Sequence, residues 1–502
     1  MTRAYNIVRK WYISVLLIYL SARNVPFLSN VVASGLWTMG AFGIGVLLAL
    51  YPIFRNPKCL AAPQIDFMLL FFLATCLSCL LNAGYGYAEN IKVLAMMVLF
   101  FLFWFPLGAD EKERDGLMRH IAATLSCIWF VLCVLSVGMF LFAIDYEIVG
   151  GVWGKTNQGF SFHYMRLWGV FHDPNYAGAG CIAAIFACLY LRGTIKKTWV
   201  SVACWVNIAF QLIYIGLSGS RSTLIALLCA MAVYIPYQLA GGKGEKSTWK
   251  DKGRKAAISV IGVACCYALI QLSCYVMPYA QNMCGDLPTG VVNSVCQSYN
   301  SMYKWSDTEF LSQKTLASEQ ETPSNANPPV VDRTDGKKPE NDISNGRFMR
   351  WSDMIQIFKS SPIYGTSPKN LVPFARDHNP DTLMAKFRIA GHNSYLEVLT
   401  STGLIGTAAM LALMMSILIP IIKKYFLFDK DQTFILAAMI CLEQALVGIF
   451  ISDLFFLFSI GSNLLWMSVG MAVHCAPESK RVSCVYRVLS KVSKSYKGIR
   501  HG

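Results

Sequence analysis

Four short stretches of this 502-residue chain carry residue types suited to an anionic substrate that bears a reactive hydroxyl. GVFHDPNYAG, residues 169–178, sets His172, Asp173 and Asn175 around a proline at the start of an apolar run. An Asp or Asn helix cap with Pro174 at the first helical position is the plainer account of the same residues. GLSGSRSTL, residues 216–224, places Arg221 in a short turn between two apolar runs, on the face where loop charge makes cations scarce. An anionic partner would explain its retention, and a snorkelling arginine is the alternative.

Two further stretches follow a long polar segment. NGRFMRW, residues 345–351, and SPIYG, residues 361–365, flank a helical pattern that begins at Arg347. A cation at a helix start opposes the macrodipole unless an anion lies close by. GHNSYLEVLTSTGLIG, residues 391–406, sets His392 just ahead of an apolar helix. A lone histidine is often a polar surface residue, but the boundary between water and lipid suits proton transfer to or from a lipid-linked molecule.

Other signatures fail on context. Cys76 and Cys79 form a CxxC inside an apolar run with no partner pair. GKGEKS at 242–247 lacks the glycine before lysine that a phosphate loop requires. Asp429 and Asp431 resemble the DxD of nucleotide-sugar enzymes, yet they stand in a short charged loop as solvated turn residues do. No HExxH or paired-cysteine zinc motif occurs, and no metal or other cofactor is expected.

The elements that must hold these residues are membrane helices. Apolar blocks long enough to cross a hydrocarbon core predict spans near 11–28, 31–54, 65–84, 91–108, 119–144, 174–191, 199–217, 222–240, 256–277, 395–422, 433–453 and 454–474. The fold class expected is therefore all-α and polytopic, with about twelve transmembrane helices. The net charge of +15 marks topology rather than nucleic-acid binding, because its lysines and arginines cluster at the ends of alternate blocks. That pattern puts both termini in the cytoplasm, and the first block reads as a retained span rather than a cleaved signal.

Three groups of spans result: 1–144, 174–277 and 395–474, followed by a basic cytoplasmic tail at 475–502. Two exported segments separate them, 145–173 and a large loop at 278–394 between spans nine and ten. Within the loop, 307–344 is polar enough to predict a disordered insert. Phe348, Trp351, Met354, Ile355 and Phe358 then recur at helical spacing, predicting an amphipathic helix at 347–359.

Taken in order, GVFHDPNYAG, SRSTL, NGRFMRW with SPIYG, and HNSYLEVLTSTGLIG resemble the O-antigen ligase and O-antigen polymerase superfamily over residues 165–410. The resemblance implies a GT-C-like membrane glycosyltransferase of the bacterial plasma membrane. Such an enzyme moves glycan from an undecaprenyl-pyrophosphate carrier to an acceptor sugar hydroxyl in cell-surface polysaccharide assembly. It implies Arg221 and Arg347 as catalytic groups on the pyrophosphate and His392 as the residue that orients or deprotonates the acceptor, with Glu397 as an alternative base. Asp173, Asn175, Asn393 and Arg350 are the expected substrate-binding residues, and Tyr164, Trp168 and Trp305 are candidates for stacking on sugar rings. Partners would be the lipid-linked donor, a saccharide acceptor, membrane lipid and other polysaccharide-assembly proteins, with no nucleic acid.

Ligase and polymerase chemistry share that donor site and remain open at this point. A transporter or flippase of the same pathway would instead place its charges at the bilayer midplane, where Glu443 and Asp453 are the main candidates. A sensor using the large loop is a third reading. Cys284 and Cys296 are the cysteines of the exported segments, and an oxidising compartment permits them to pair. Alkylation with and without prior reduction, read by mass spectrometry on the native protein, should show both thiols protected only before reduction. Two thiols that react without reduction would exclude the disulfide.

Overall fold

Apolar runs of membrane length dictate helices, because a backbone in hydrocarbon must satisfy its hydrogen bonds within its own segment. The computed structural model describes residues 3–32, 35–55, 57–148, 156–161, 164–240, 249–284, 346–389, 391–477 and 481–490. Among these, nine helices are long and apolar enough to cross a membrane, against the twelve expected. The shortfall has local causes. The Arg3–Arg23 helix carries Arg9 and Lys10 within it, and the Gln432–Val447 and Ile460–Cys475 helices have 16 residues each. The last two apolar blocks, expected to abut at 453, are separated by a non-helical segment at 448–459.

The Pro174–Thr194 helix occupies the centre, packed by Glu111–Leu141, Thr198–Ser218, Gln432–Val447 and Ile460–Cys475. Its run of Gly178, Ala179, Gly180, Ala183, Ala184 and Ala187 explains that position, since small residues let helix backbones approach closely in a membrane. Trp129 of the Glu111–Leu141 helix lies directly over Gly180. By contrast, the Trp37–Arg55 and Asp251–Cys284 helices are each only 11% buried and face outward.

Residues 145–169 contain a small antiparallel sheet that apolar patterning did not foretell. Its strands are β1 Asp145–Ile148, β2 Thr156–Ser161 and β3 Arg166–Gly169, in the order β1-β2-β3 with a register shift at Gly159 and Phe160. Phe160 and Leu167 are buried beneath it against the Glu111–Leu141 helix, and Phe160 meets the Phe140 ring edge-on. The strand β3 leads straight to His172 and Asp173.

The described part of the large loop comprises three helices, Arg347–Ser360, Leu371–His378 and Leu383–Phe387, which share a small core of Met354, Ile357, Phe374, Ala375, Met384 and Ala385. Of the anticipated apolar stripe Met354 is buried while Phe348 and Ile355 are exposed, and Ile357, outside the stripe, completes the burial. The segments 307–344 and Cys296 lie outside the described residues, whereas Cys284 ends the Trp249–Cys284 helix and is exposed.

This unit is locked to the bundle by backbone. The Ser394–Tyr425 helix is interrupted at Gly403, whose φ of 61° and ψ of −162° lie outside helical space. There the amides of Leu404 and Ile405 donate to the carbonyls of Pro362 and Ile363 at 2.8 and 3.2 Å. The amides of Thr366 and Ser367 donate in turn to the carbonyls of Thr400 and Ser401 at 2.9 and 2.8 Å. Gly365, also with positive φ, faces the backbone of residues 401–403. A Cβ on Gly403 would collide with the Ile363 backbone, which cannot swing aside as a side chain could.

Gly403→Ala combines overpacking with a left-handed conformation that alanine resists, and should cost about 2 to 4 kcal/mol. Gly84→Ala, at a glycine with open space around its missing side chain, is the control. Thermal denaturation of the detergent-solubilised protein should rank Gly403→Ala well below the control, and equal midpoints would contradict the crossing.

Candidate functional site

Two ties assemble one end of the bundle. The first is centred on Arg166 of β3, which is 7% exposed. Its Nε donates to the Ser218 carbonyl at 2.5 Å, and its Nη2 donates to Asn175 Oδ1 at 3.0 Å. The same Asn175 oxygen accepts the Ser220 hydroxyl at 2.9 Å. Ser220 caps the Arg221–Leu239 helix, so the residue after it, Arg221, begins that helix on the exposed surface. The GVFHDPNYAG and SRSTL stretches are thereby joined through side chains rather than through backbone.

Asp173 has the cap role that its sequence context allowed: its carboxylate accepts the Asn175 amide at 2.6 Å, with Pro174 at the first turn. His172 is buried beside it, its amide donating to the Asn24 carbonyl at 2.9 Å and its ring 5.3 Å from that of Tyr176. Burial lowers the imidazole's proton affinity, against the pull of Asp173 and the Asn24 carbonyl.

The second tie brings the large loop to the same place. Gly346, in the left-handed region, turns the chain into the Arg347–Ser360 helix, and the Arg347 guanidinium lies 5.3 Å from the centre of the Phe450 ring. Phe450 belongs to the non-helical segment at 448–459, which also cradles the start of the Ser394–Tyr425 helix. The Ser394 amide donates to the Gly448 carbonyl at 2.8 Å, its hydroxyl donates to the Ile451 carbonyl at 2.7 Å, and the Asn393 amide donates to the Ser452 hydroxyl at 3.2 Å. Asn393 itself caps that helix, its Oδ1 accepting the Tyr395 and Leu396 amides at 3.0 Å each.

His392 stands between the two ties. It is half-buried with a φ of 52°, a conformation that non-glycine residues adopt at some cost. The preceding Gly391 packs against the Met354 side chain, which a larger residue would have to push aside. Burial holds the imidazole at about 4, below its usual 6.5; Arg350 and Arg347 push the same way and Asp173 opposes them. Burial likewise lowers the proton affinity of Arg350. Asp173, Arg347, Arg350 and His392, which come from three distant parts of the chain, therefore share one electrostatic neighbourhood. Ser220, the residue before Arg221, is tied to it through Asn175, whose amide donates to Asp173.

Behind this polar surface lies a bed of buried oxygen. Tyr176 stands among Asp453, Asp173 and Glu397, and Lys369 is the cation that acts on Glu397. Glu443, Gln444 and Asp453 are almost wholly buried, and Glu443 Oε1, Gln444 Oε1 and Asp453 Oδ1 lack hydrogen-bond partners among the described residues. Among those residues no group of three or more His, Cys, Asp or Glu is arranged to hold a metal ion. Of the aromatic candidates, Tyr164 is exposed, Trp168 has the Arg166 guanidinium 5.9 Å from its ring centre, and Trp305 lies outside the described residues.

Arg166 and Ser220 were not singled out by sequence, although Arg166 stands between Tyr164 and Trp168, which were. Their partners are a carbonyl and an amide oxygen that only the fold supplies.

Comparison with known proteins gives one family: residues 206–411 match the O-antigen ligase model. The matched stretch includes Arg221, Arg347, Arg350, His392 and Asn393, and begins after Asp173 and Asn175. No curated protein matches the chain.

The electrostatic neighbourhood predicts a titration. His392 should protonate near pH 4, and Arg350→Gln, which removes a neighbouring cation, should move that midpoint upward toward 6.5. Nuclear magnetic resonance of the labelled imidazole in detergent micelles reads it directly. A native midpoint already at 6.5 would contradict both the burial and the cationic surroundings.

Proposed function

We propose that this chain, which carries an O-antigen ligase domain over residues 206–411 and several membrane helices, transfers glycan from undecaprenyl pyrophosphate to an acceptor sugar hydroxyl. The observation that carries the reading is the shared neighbourhood of Arg347, Arg350 and His392 at one end of the bundle.

In the reaction, the acceptor oxygen attacks the anomeric carbon, the bond from that carbon to the pyrophosphate oxygen breaks, and the hydroxyl proton leaves. Arg347 and Arg350 meet the charge that develops on the pyrophosphate. Guanidinium is permanently charged and forks onto phosphate oxygens, so it stabilises the leaving group more effectively than a lysine ammonium could. Arg221 adds a cation from the neighbouring helix start.

His392, held at about 4, is neutral at neutral pH and offers a ring nitrogen to the acceptor hydroxyl. Burial, with the same cations, makes it a weak base. Its main contribution is to orient the attacking oxygen and take up the proton late, as the bond to carbon forms, with Asp173 stabilising the resulting imidazolium. Asn175 and Asn393 hold the two loops on which acceptor and donor rest. The exported face of a bacterial plasma membrane is the setting in which a lipid-linked donor would meet such a site. Ligase and polymerase differ only in the acceptor presented.

One observation favours a transporter or flippase instead: the buried, unpaired oxygens of Glu443 and Asp453 are of the kind that carry protons or cations. Incubation of the purified protein with a lipid-linked repeat separates the readings. A polymerase yields a ladder, a ligase yields single additions to a supplied acceptor, and a transporter yields no new glycosidic bond.

In the same assay Arg347→Ala and Arg221→Ala should each lower turnover by about 10² to 10³. His392→Ala should fall less, because weak-base help and orientation are lost while charge neutralisation survives. Near-normal turnover in both arginine variants would refute the site.

A further inference from the structure

At the opposite end of the bundle, helix ends from six parts of the chain enclose a cavity of about 1110 Å³. Its distance from His392 follows from the Ser394–Tyr425 helix, which starts at the site and ends with Pro420 and Lys424 in the cavity wall. At 1.5 Å per residue that helix covers roughly the thickness of a bilayer.

The cavity is graded. Its inner wall is apolar, with Ala49, Leu102, Phe103 and Val473 beside the buried Arg9, and its mouth is basic, with Arg55, Lys58, Lys112, Arg114 and Arg481 against Asp110 and Glu111 as the lining acids. Lys424 also lines it but is neutralised by Asp429 and Asp431 at 2.5 and 3.3 Å. Arg114 is fixed in place by donating from Nε to the Gly108 carbonyl at 2.7 Å. Arg55 and Lys112 are exposed and make no ion pair among the described residues.

Cations at helix ends are a general feature of membrane topology, but they normally point outward into water. Here they line a half-open cavity of ligand-binding size. One wall, contributed by Pro52 and Arg55, belongs to the outward-facing Trp37–Arg55 helix, and the neighbouring Phe54 is 81% exposed. An occupant can therefore enter sideways from lipid as well as from water.

We infer that this cavity binds the phosphate headgroup of an anionic membrane lipid, with the phosphate at the Arg55 and Lys112 rim and the first acyl carbons against Leu102, Phe103 and Val473. The apolar wall favours a lipid over a free phosphate, which would leave that surface uncovered. The inference stands apart from the glycan-transfer reading, since it concerns neither the donor nor His392.

The test is native mass spectrometry of the full-length protein released from detergent, with phosphatidylglycerol, phosphatidylcholine or glycerol 3-phosphate added. Phosphatidylglycerol adducts should survive activation that strips phosphatidylcholine. Arg55→Gln combined with Lys112→Gln should weaken retention by on the order of thirtyfold, taking about 1 kcal/mol for each cation near an anionic lipid. Lys423→Gln with Lys430→Gln removes the same charge from exposed residues at the same end, outside the cavity lining, and should retain the lipid. Equal loss in both double variants, or no preference for phosphatidylglycerol over phosphatidylcholine, overturns the site. Displacement of the lipid by equimolar glycerol 3-phosphate overturns the lipid assignment. Monodisperse elution of each variant on size exclusion confirms that the comparison is made on folded protein.

Discussion

The arrangement of the candidate site depends on a contact between two pieces of backbone. Residues 361–367 and 400–405 exchange four amide-to-carbonyl hydrogen bonds across Gly365 and Gly403, and the bundle reinforces them from outside. The Ser78 hydroxyl donates to the Ser401 carbonyl at 2.6 Å and accepts the Ser367 amide at 3.1 Å, while the Asn82 side chain donates to the Gly365 carbonyl at 2.9 Å. Such bonds need no particular side chain on the loop, only two residues without a Cβ in the way. They set the position of the Arg347–Ser360 helix relative to His392 within the tolerance of a hydrogen bond, which is what placing two arginines on one substrate demands.

Upon that scaffold the charges facing His392 are mostly positive. Arg347 and Arg350 surround an imidazole that they help to keep neutral, and Asp173, tied up as a helix cap, is the opposing charge on it. A cluster of this kind is poorly satisfied alone and becomes favourable when an anion arrives, so the energy of assembling it is recovered in binding. The Asn175 oxygen, accepting from both Arg166 and Ser220, keeps the Arg221 helix start beside this cluster without neutralising any of its charge.

Much of the helical architecture was legible because a membrane leaves the backbone few options. Apolar length located the long helices, and Pro174 and Asp173 marked a helix start that Asp173 indeed caps. The break at 448–459 was not legible: its Leu454, Phe455 and Phe456 look like helix interior, and the cause is a set of bonds to Ser394, far away in sequence. The sheet at 145–169 was hidden for a similar reason, since strands of four to six residues with polar members show no clear alternation. At the site, motif position identified Arg347, Arg350 and His392, whereas Arg166 could not be found by type alone because its partners exist only in the fold. Arg221 follows Ser220, whose hydroxyl donates to Asn175, a link that the motif alone did not show.

The segment that carries most of the recognisable residues is held in shape by parts of the chain that lie outside it. Asn175 holds Ser220, Ser78 and Asn82 clasp the glycine crossing, and Phe450 and Ser452 brace Arg347 and Asn393. The matched stretch at 206–411 is thus not a transplantable module. A chimera exchanging only that stretch with a relative would pair each half of these bonds with a stranger, and sequence drift in the flanks must therefore proceed in step with the centre. The flanks are free to change in lipid-facing residues but constrained at a few polar positions. In a comparison of relatives, those positions would be expected to vary together with the loop they hold.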